Sequence, residues 1–184
     1  DQAYAILEFA GKVIVVDQNS AQVDFIRKRV AGLQEGDKKA FFQEHIYGTD
    51  DSYSGSASCW SVAEQRKQAV RRYFTGADGR LERVKGKLDN LTVLDPEDIF
   101  SAAVSTKYSK VYLSNALDDG GSYADLKLLV EGLPPDGRLI VVGSTSRLWI
   151  EQFCGRSLPL KLERIYQDTA SDPAWGISAF KKVV

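Results

Sequence analysis

Polar and apolar positions along the chain follow two periods, and the switches between them outline its elements. Residues 2–10, QAYAILEFA, put Ala3, Ile6, Leu7 and Ala10 on one helical face. Gly11 reads as the stop, because glycine takes the left-handed conformation that ends many helices. The run VIVV that follows is β-branched throughout and closes on Asp17. Such runs belong to strands buried on both faces, as in a parallel sheet flanked by helices. Helical spacing resumes over 20–33, with Ser20 as N-cap and Ala21, Phe25, Ile26 and Val30 facing inward. Arg27, Lys28 and Arg29 fall on the outward side.

Residues 36–90 break the rhythm. Lys38 to Ile46 reads as helix, Gly48 to Ser58 as a polar glycine- and serine-rich loop, and Val62 to Phe74 as a basic amphipathic helix. A further helix is expected over 81–88. The stretch exceeds an ordinary connection between sheet elements, so it is expected to be a helical insertion that shapes or covers a site. Strand patterns then return as LTVL (91–94), VYLSNA (111–116) and RLIVVG (138–143), with helices expected near 96–104, 122–132 and 146–154. The prolines of Leu133-Pro134-Pro135-Asp136-Gly137 forbid helix there and predict a turn. Residues 160–168 and 176–184 flank a second turn and read as a terminal antiparallel pair.

Strand and helix in alternation predict an α/β fold, a three-layer doubly wound and mostly parallel sheet. At 184 residues the chain is expected to form a single domain, 1–184. A net charge of −1 gives no electrostatic footprint for nucleic acid. No apolar run approaches the length that crosses a bilayer, and no signal pattern opens the chain. Its two cysteines, Cys59 and Cys154, lie far apart, which fits a reducing cytoplasm.

VIVVDQNSAQ, residues 13–22, resembles the second-strand segment of class I S-adenosylmethionine-dependent enzymes, the methyltransferase-like superfamily. Within it the segment looks most like that of the betaine-lipid type S-adenosylmethionine:diacylglycerol 3-amino-3-carboxypropyltransferases, which has the form V-D-x-N-x-A-Q. NLTVLDPEDIF resembles the third strand with its adenine-contacting acid, KVYLSNAL the fourth strand, and LPPDGRLIVVGS the fifth with its proline–glycine turn. The likeness covers most of 1–33 and 88–184, in family order. It implies a Rossmann-like sheet whose last strand is inserted antiparallel, and S-adenosyl-L-methionine as cofactor. It also implies a first strand and glycine-rich loop ahead of the opening helix. The sequence has no counterpart of either: residues ahead of Asp1 are expected to supply them, and the alternative is a domain that has lost part of its pocket.

The resemblance assigns the ribose to Asp17, with Gln18 and Asn19 beside it. A carboxylate at the C-terminal end of a buried strand suits a diol, while capping of the next helix is the competing role. Asp98, with Asp95 as rival, is expected to accept from the adenine amino group, and Ile99 to pack on the ring. Both acids also suit the N-terminus of the helix after Pro96. Ser114 and Asn115 end the fourth strand at the crevice where open α/β sheets bind ligands. Asp118 and Tyr123, with Asp119 nearby, are the candidates for proton removal, against a plain capping role.

His45 stands without a ligand cluster, so no metal is expected. Cys59 lacks the basic setting of a nucleophile, and Trp60 reads as an anchor for its loop. Arg66, Lys67, Arg71 and Arg72 form either a solvated face or a surface for peripheral membrane contact. The expected activity is transfer of a methyl or 3-amino-3-carboxypropyl group to a small-molecule or lipid acceptor. Beside it stand a non-catalytic nucleoside-binding or interaction domain of the same fold, and an NAD-dependent oxidoreductase.

Overall fold

The β-branched run behind Gly11 pairs with the later run LTVL, although nearly eighty positions separate them in sequence. The computed structural model describes residues 2–42, 68–76, 79–113, 122–144, 161–168 and 175–183. The chain divides into two compact units, Asp1–Glu97 and Asp98–Val184.

In the first unit β1 (Val13–Val15) and β2 (Leu91–Val93) run parallel, Val13 opposite Leu91 and Val15 opposite Val93. Among the described residues the helices are α1 (Gln2–Leu7), α2 (Ser20–Glu35), α3 (Lys38–Phe41), α4 (helical from 68 to 75) and α5 (Arg80–Lys85). A 3-10 turn, Leu88–Asn90, leads into β2. Phe41 is the hub of the core: its ring meets Tyr4 edge-on at 5.0 Å and Phe74 at 5.3 Å. Leu7, Val13, Leu33 and Val84 pack in the same cluster.

Among the described residues of this unit, Arg29 and Glu8 are buried charges. Arg29, expected to face outward, is only 6% exposed. Its Nε donates to the Phe41 carbonyl at 2.6 Å, and its guanidinium lies over the Phe41 ring at 4.6 Å and the Tyr4 ring at 5.0 Å. Aromatic faces and a carbonyl replace its lost water, so the helix turns a cation inward where its periodicity predicts a solvated one. Burial lowers the arginine pKa, and pushes the Tyr4 hydroxyl up to about 12 against the opposing effect of Arg29. Ala21, predicted inward, is exposed; Val23 and Leu33 fill the core instead.

Glu8 is the second, its side chain 4% exposed. Its Oε1 accepts from Arg83 at 2.6 and 3.1 Å, and Arg80 Nε stands 2.8 Å from Oε2. The Lys87 ammonium donates to the Glu8 carbonyl at 2.7 Å. This cluster joins α1 to α5. The Arg83 hydrogen bond is the main cause that holds the Glu8 carboxyl below its ordinary value, against burial and with help from both guanidinium charges.

The second unit carries a four-stranded sheet in the order β3-β4-β6-β5. Its strands are β3 (Lys110–Leu113), β4 (Arg138–Ser144), β5 (Leu162–Asp168) and β6 (Trp175–Lys182). β3 and β4 are parallel; β6 is antiparallel to both β4 and β5 and lies between them. The expected terminal antiparallel pair is therefore present. Two helices, α6 (Ile99–Ser105) and α7 (Tyr123–Gly132), contribute Phe100, Leu126, Leu129 and Val130 to a core shared with Val111, Leu113, Leu139, Val141 and Phe180. A capping box opens α7: Ser122 Oγ accepts from the Asp125 amide, and the Asp125 carboxylate from the Ser122 amide.

The proline turn after α7 is pinned by the end of β6. Asp136, at φ 64, donates through its amide to the Lys182 carbonyl at 3.2 Å, and the Lys182 amide donates to Gly137 O at 2.8 Å. The Lys182 ammonium covers two of the last carbonyls of the α7 end, Glu131 at 3.0 Å and Leu133 at 2.6 Å. The expected helix over 146–154 lies outside the described residues.

A Cβ at Gly132 would overlap the Tyr108 hydroxyl, which is held by its bond to the Leu129 carbonyl at 2.9 Å. Gly132→Ala is expected to destabilise the protein by about 1–3 kcal/mol, read from the denaturant midpoint. Because the folded pKa of Glu8 is depressed, its contribution is full above the ordinary carboxyl value of 4.5 and is lost as pH falls below that. Glu8→Gln is expected to lower the thermal midpoint at pH 7 and to flatten its fall between pH 5 and pH 3, measured by thermal melts across that range.

Candidate functional site

Asp17 stands two residues beyond β1, where the chain must leave the ladder and turn into α2. The ladder continues past the strands. Leu94 N donates to Val15 O at 3.1 Å and Glu97 N to Asp17 O at 3.2 Å. The Asp17 backbone is thus tied to the segment leaving β2. Its side chain is half-buried, and Oδ1 accepts from the Asn19 amide at 2.8 Å. Among the described residues Oδ2 has no partner.

Asn19, rather than Ser20, caps α2. It is extended, at φ −84 and ψ 110, and its Oδ1 accepts from Ala21 N at 3.0 Å and Gln22 N at 3.4 Å. Ser20 is already the first helical residue. The competing role for Asp17, helix capping, is therefore filled by its neighbour. Gln18 is exposed between the two.

At the end of β2, Arg27 reaches across from α2. Its Nη2 donates to Asp95 Oδ1 at 2.7 Å and to Leu94 O at 3.2 Å. Asp95, the rival for adenine, is engaged by this pair. Asp98 sits at the N-cap position of α6 in an extended conformation, yet its side chain makes no capping bond and is exposed. Ile99, beside it, packs against the core of the second unit. Tyr123 opens α7 and packs against the same core. Ser114, Asn115, Asp118 and Asp119 lie outside the described residues, as do His45, Cys59, Trp60, Arg66 and Lys67. Arg71 and Arg72 are exposed on α4.

Sequence reasoning missed Arg27 and the capping role of Asn19. The first carries a faint signal: a helical side chain leans toward its own N-terminus, so an arginine after Asp17 can return to the strand ends. Among the described residues no group of histidine, cysteine and carboxylate side chains can hold a metal ion, and no helix is long and apolar enough to cross a membrane.

No family model matches the chain, and no curated protein does. Among solved structures it is similar to the N-methyltransferase NodS from Bradyrhizobium japonicum WM9, at 11% identity and a TM-score of 0.36, over 59% of this chain and 70% of that one. With NodS in complex with S-adenosyl-L-homocysteine the likeness covers 89% of this chain and 99% of that one, at 11% identity and a TM-score of 0.38. A likeness that loose carries no argument about the site.

Asn19→Ala is expected to cost about 1 kcal/mol of stability through the lost cap, and Asn19→Ser to recover most of it, as read by urea unfolding.

Proposed function

We propose that the chain belongs to an S-adenosylmethionine-dependent transferase, which moves a methyl or 3-amino-3-carboxypropyl group to a small-molecule or lipid acceptor. The observation that carries this reading is the Asp17 carboxylate. It stands at the C-terminal end of a parallel pair, oriented through Oδ1 by a backbone amide, with Oδ2 left unengaged among the described residues. A half-buried acceptor of that kind fits a sugar hydroxyl. The antiparallel β6 between β4 and β5 favours this reading over an NAD-dependent oxidoreductase, whose sheet runs parallel throughout.

In this reading Asp17 holds the ribose, and Gln18 and Asn19 wall that side through the turn they form. Asp98 accepts from the adenine amino group, a role its carboxylate is open to because it does not cap α6. Ile99 offers apolar surface beside it. Ser114 and Asn115 approach the methionine end, and Asp118 or Tyr123 takes the proton that the acceptor loses. When bound, the cofactor supplies a sulfonium that makes its attached carbons electrophilic. The protein residues contribute alignment and exclusion of water, which suffice for much of the acceleration of a displacement.

Titration calorimetry of the full chain with S-adenosylmethionine and S-adenosylhomocysteine tests the proposal. Binding is expected to both, and Asp17→Ala is expected to weaken it roughly 10- to 100-fold, the worth of a hydrogen bond to a charged group. Absence of heat with either ligand would remove the transferase reading.

A further inference from the structure

β1 and β2 share three paired positions, and beyond them the regular strand pairing ends. One segment passes through Asp17 into α2; the other runs through Leu94 to Glu97. Parallel ends beyond such a ladder stay together only if something bridges them. Two backbone bonds do so, Leu94 to Val15 and Glu97 to Asp17. The third bridge is a side chain. Arg27, about two turns into α2, leans back toward the helix N-terminus. One guanidinium nitrogen there, carrying two hydrogens, serves both the Leu94 carbonyl and the Asp95 carboxylate.

We propose that Arg27 is a positioning residue that fixes the Asp17 carboxylate for a ribose hydroxyl, an inference that rests on the sugar-binding role given to Asp17 above. The contacts form a closed ring. Asp17 is held by the Asn19 amide, Asn19 caps α2, Arg27 ties α2 to Leu94 and Asp95, and Glu97 returns to the Asp17 carbonyl. Opening the ring at Arg27 frees α2 from the strand end on which Glu97 sits. Asp17, held through Oδ1 by the Asn19 amide and through its backbone carbonyl by the Glu97 amide, then loses the fixed direction of its carboxylate.

Stability is not the purpose of this contact. The Asp95 side chain is 92% exposed and that of Arg27 42%, and an ion pair so solvated adds little to folding. The contact joins two backbone segments at the point where one of them presents a carboxylate.

The test measures binding of S-adenosylhomocysteine and of its 2′-deoxy analogue by calorimetry, on the full chain, with thermal melts in parallel. Arg27→Ala is expected to weaken the parent ligand about five-fold and the 2′-deoxy analogue by about two-fold or less, with little change in the melt. Asp95→Ala, which spares the Leu94 bond, is expected to show the same selectivity at smaller size, and decides the matter if Arg27→Ala fails to fold. Equal loss on both ligands would reduce Arg27 to a structural role and overturn the proposal, as would no loss on either. A wild-type chain that binds neither ligand removes this inference and the ribose role together, whereas normal wild-type binding with indifferent variants removes this inference alone.

Discussion

Parallel strands joined at only three positions form a weak ladder, and neither edge of such a pair can stand by itself in water. In the first unit the constraint is met at the strand ends. Backbone bonds prolong the pairing from Val15 to Asp17. The candidate site grows out of this solution. A carboxylate placed where two strands separate is held firmly because the separation itself had to be controlled. Its orientation is thus a by-product of backbone accounting, in which each amide near the strand ends finds an acceptor.

Glu8 and Arg29, both buried among the described residues of that unit, sit in specific surroundings. Glu8 meets two guanidinium groups, so its charge is answered by opposite charge and α1 is fixed against α5. Arg29 donates to a carbonyl and lies over aromatic faces, whose dipoles and quadrupoles favour its charge. Removing Arg83 would leave the buried Glu8 carboxylate without its strongest hydrogen bonds, which makes the packing specific as well as tight. Ring contacts around Phe41 would be satisfied by many apolar side chains; those two clusters would not.

Much of this architecture is legible in the sequence. β-branched runs located β1, β2 and β4, and the prolines after Gly132 placed the turn before β4. Alternation around a turn found the antiparallel partners β5 and β6. The inward face of α2 was misread because periodicity cannot anticipate a caged arginine, and the cap was placed one residue late because Asn19 and Ser20 are both good caps. At the site, the position of Asp17 at a strand end was visible from the run that precedes it. Which of Asp95 and Asp98 remains open was not, since that depends on a side chain 68 positions away in sequence. Serine and asparagine at 114 and 115 and the acid at 118 stay expectations from sequence.

The placement of β6 bears on how the second unit comes into being. β6 follows β5 in sequence, yet it fills the gap between β4 and β5 and also secures the turn ahead of β4. Until residue 182 has left the ribosome, β4 and β5 have no common neighbour, and their exposed backbone groups await a partner that has yet to be synthesised. Nascent chains stalled just short of that point would therefore present two sticky margins rather than one, and would be natural clients for chaperones that bind extended segments.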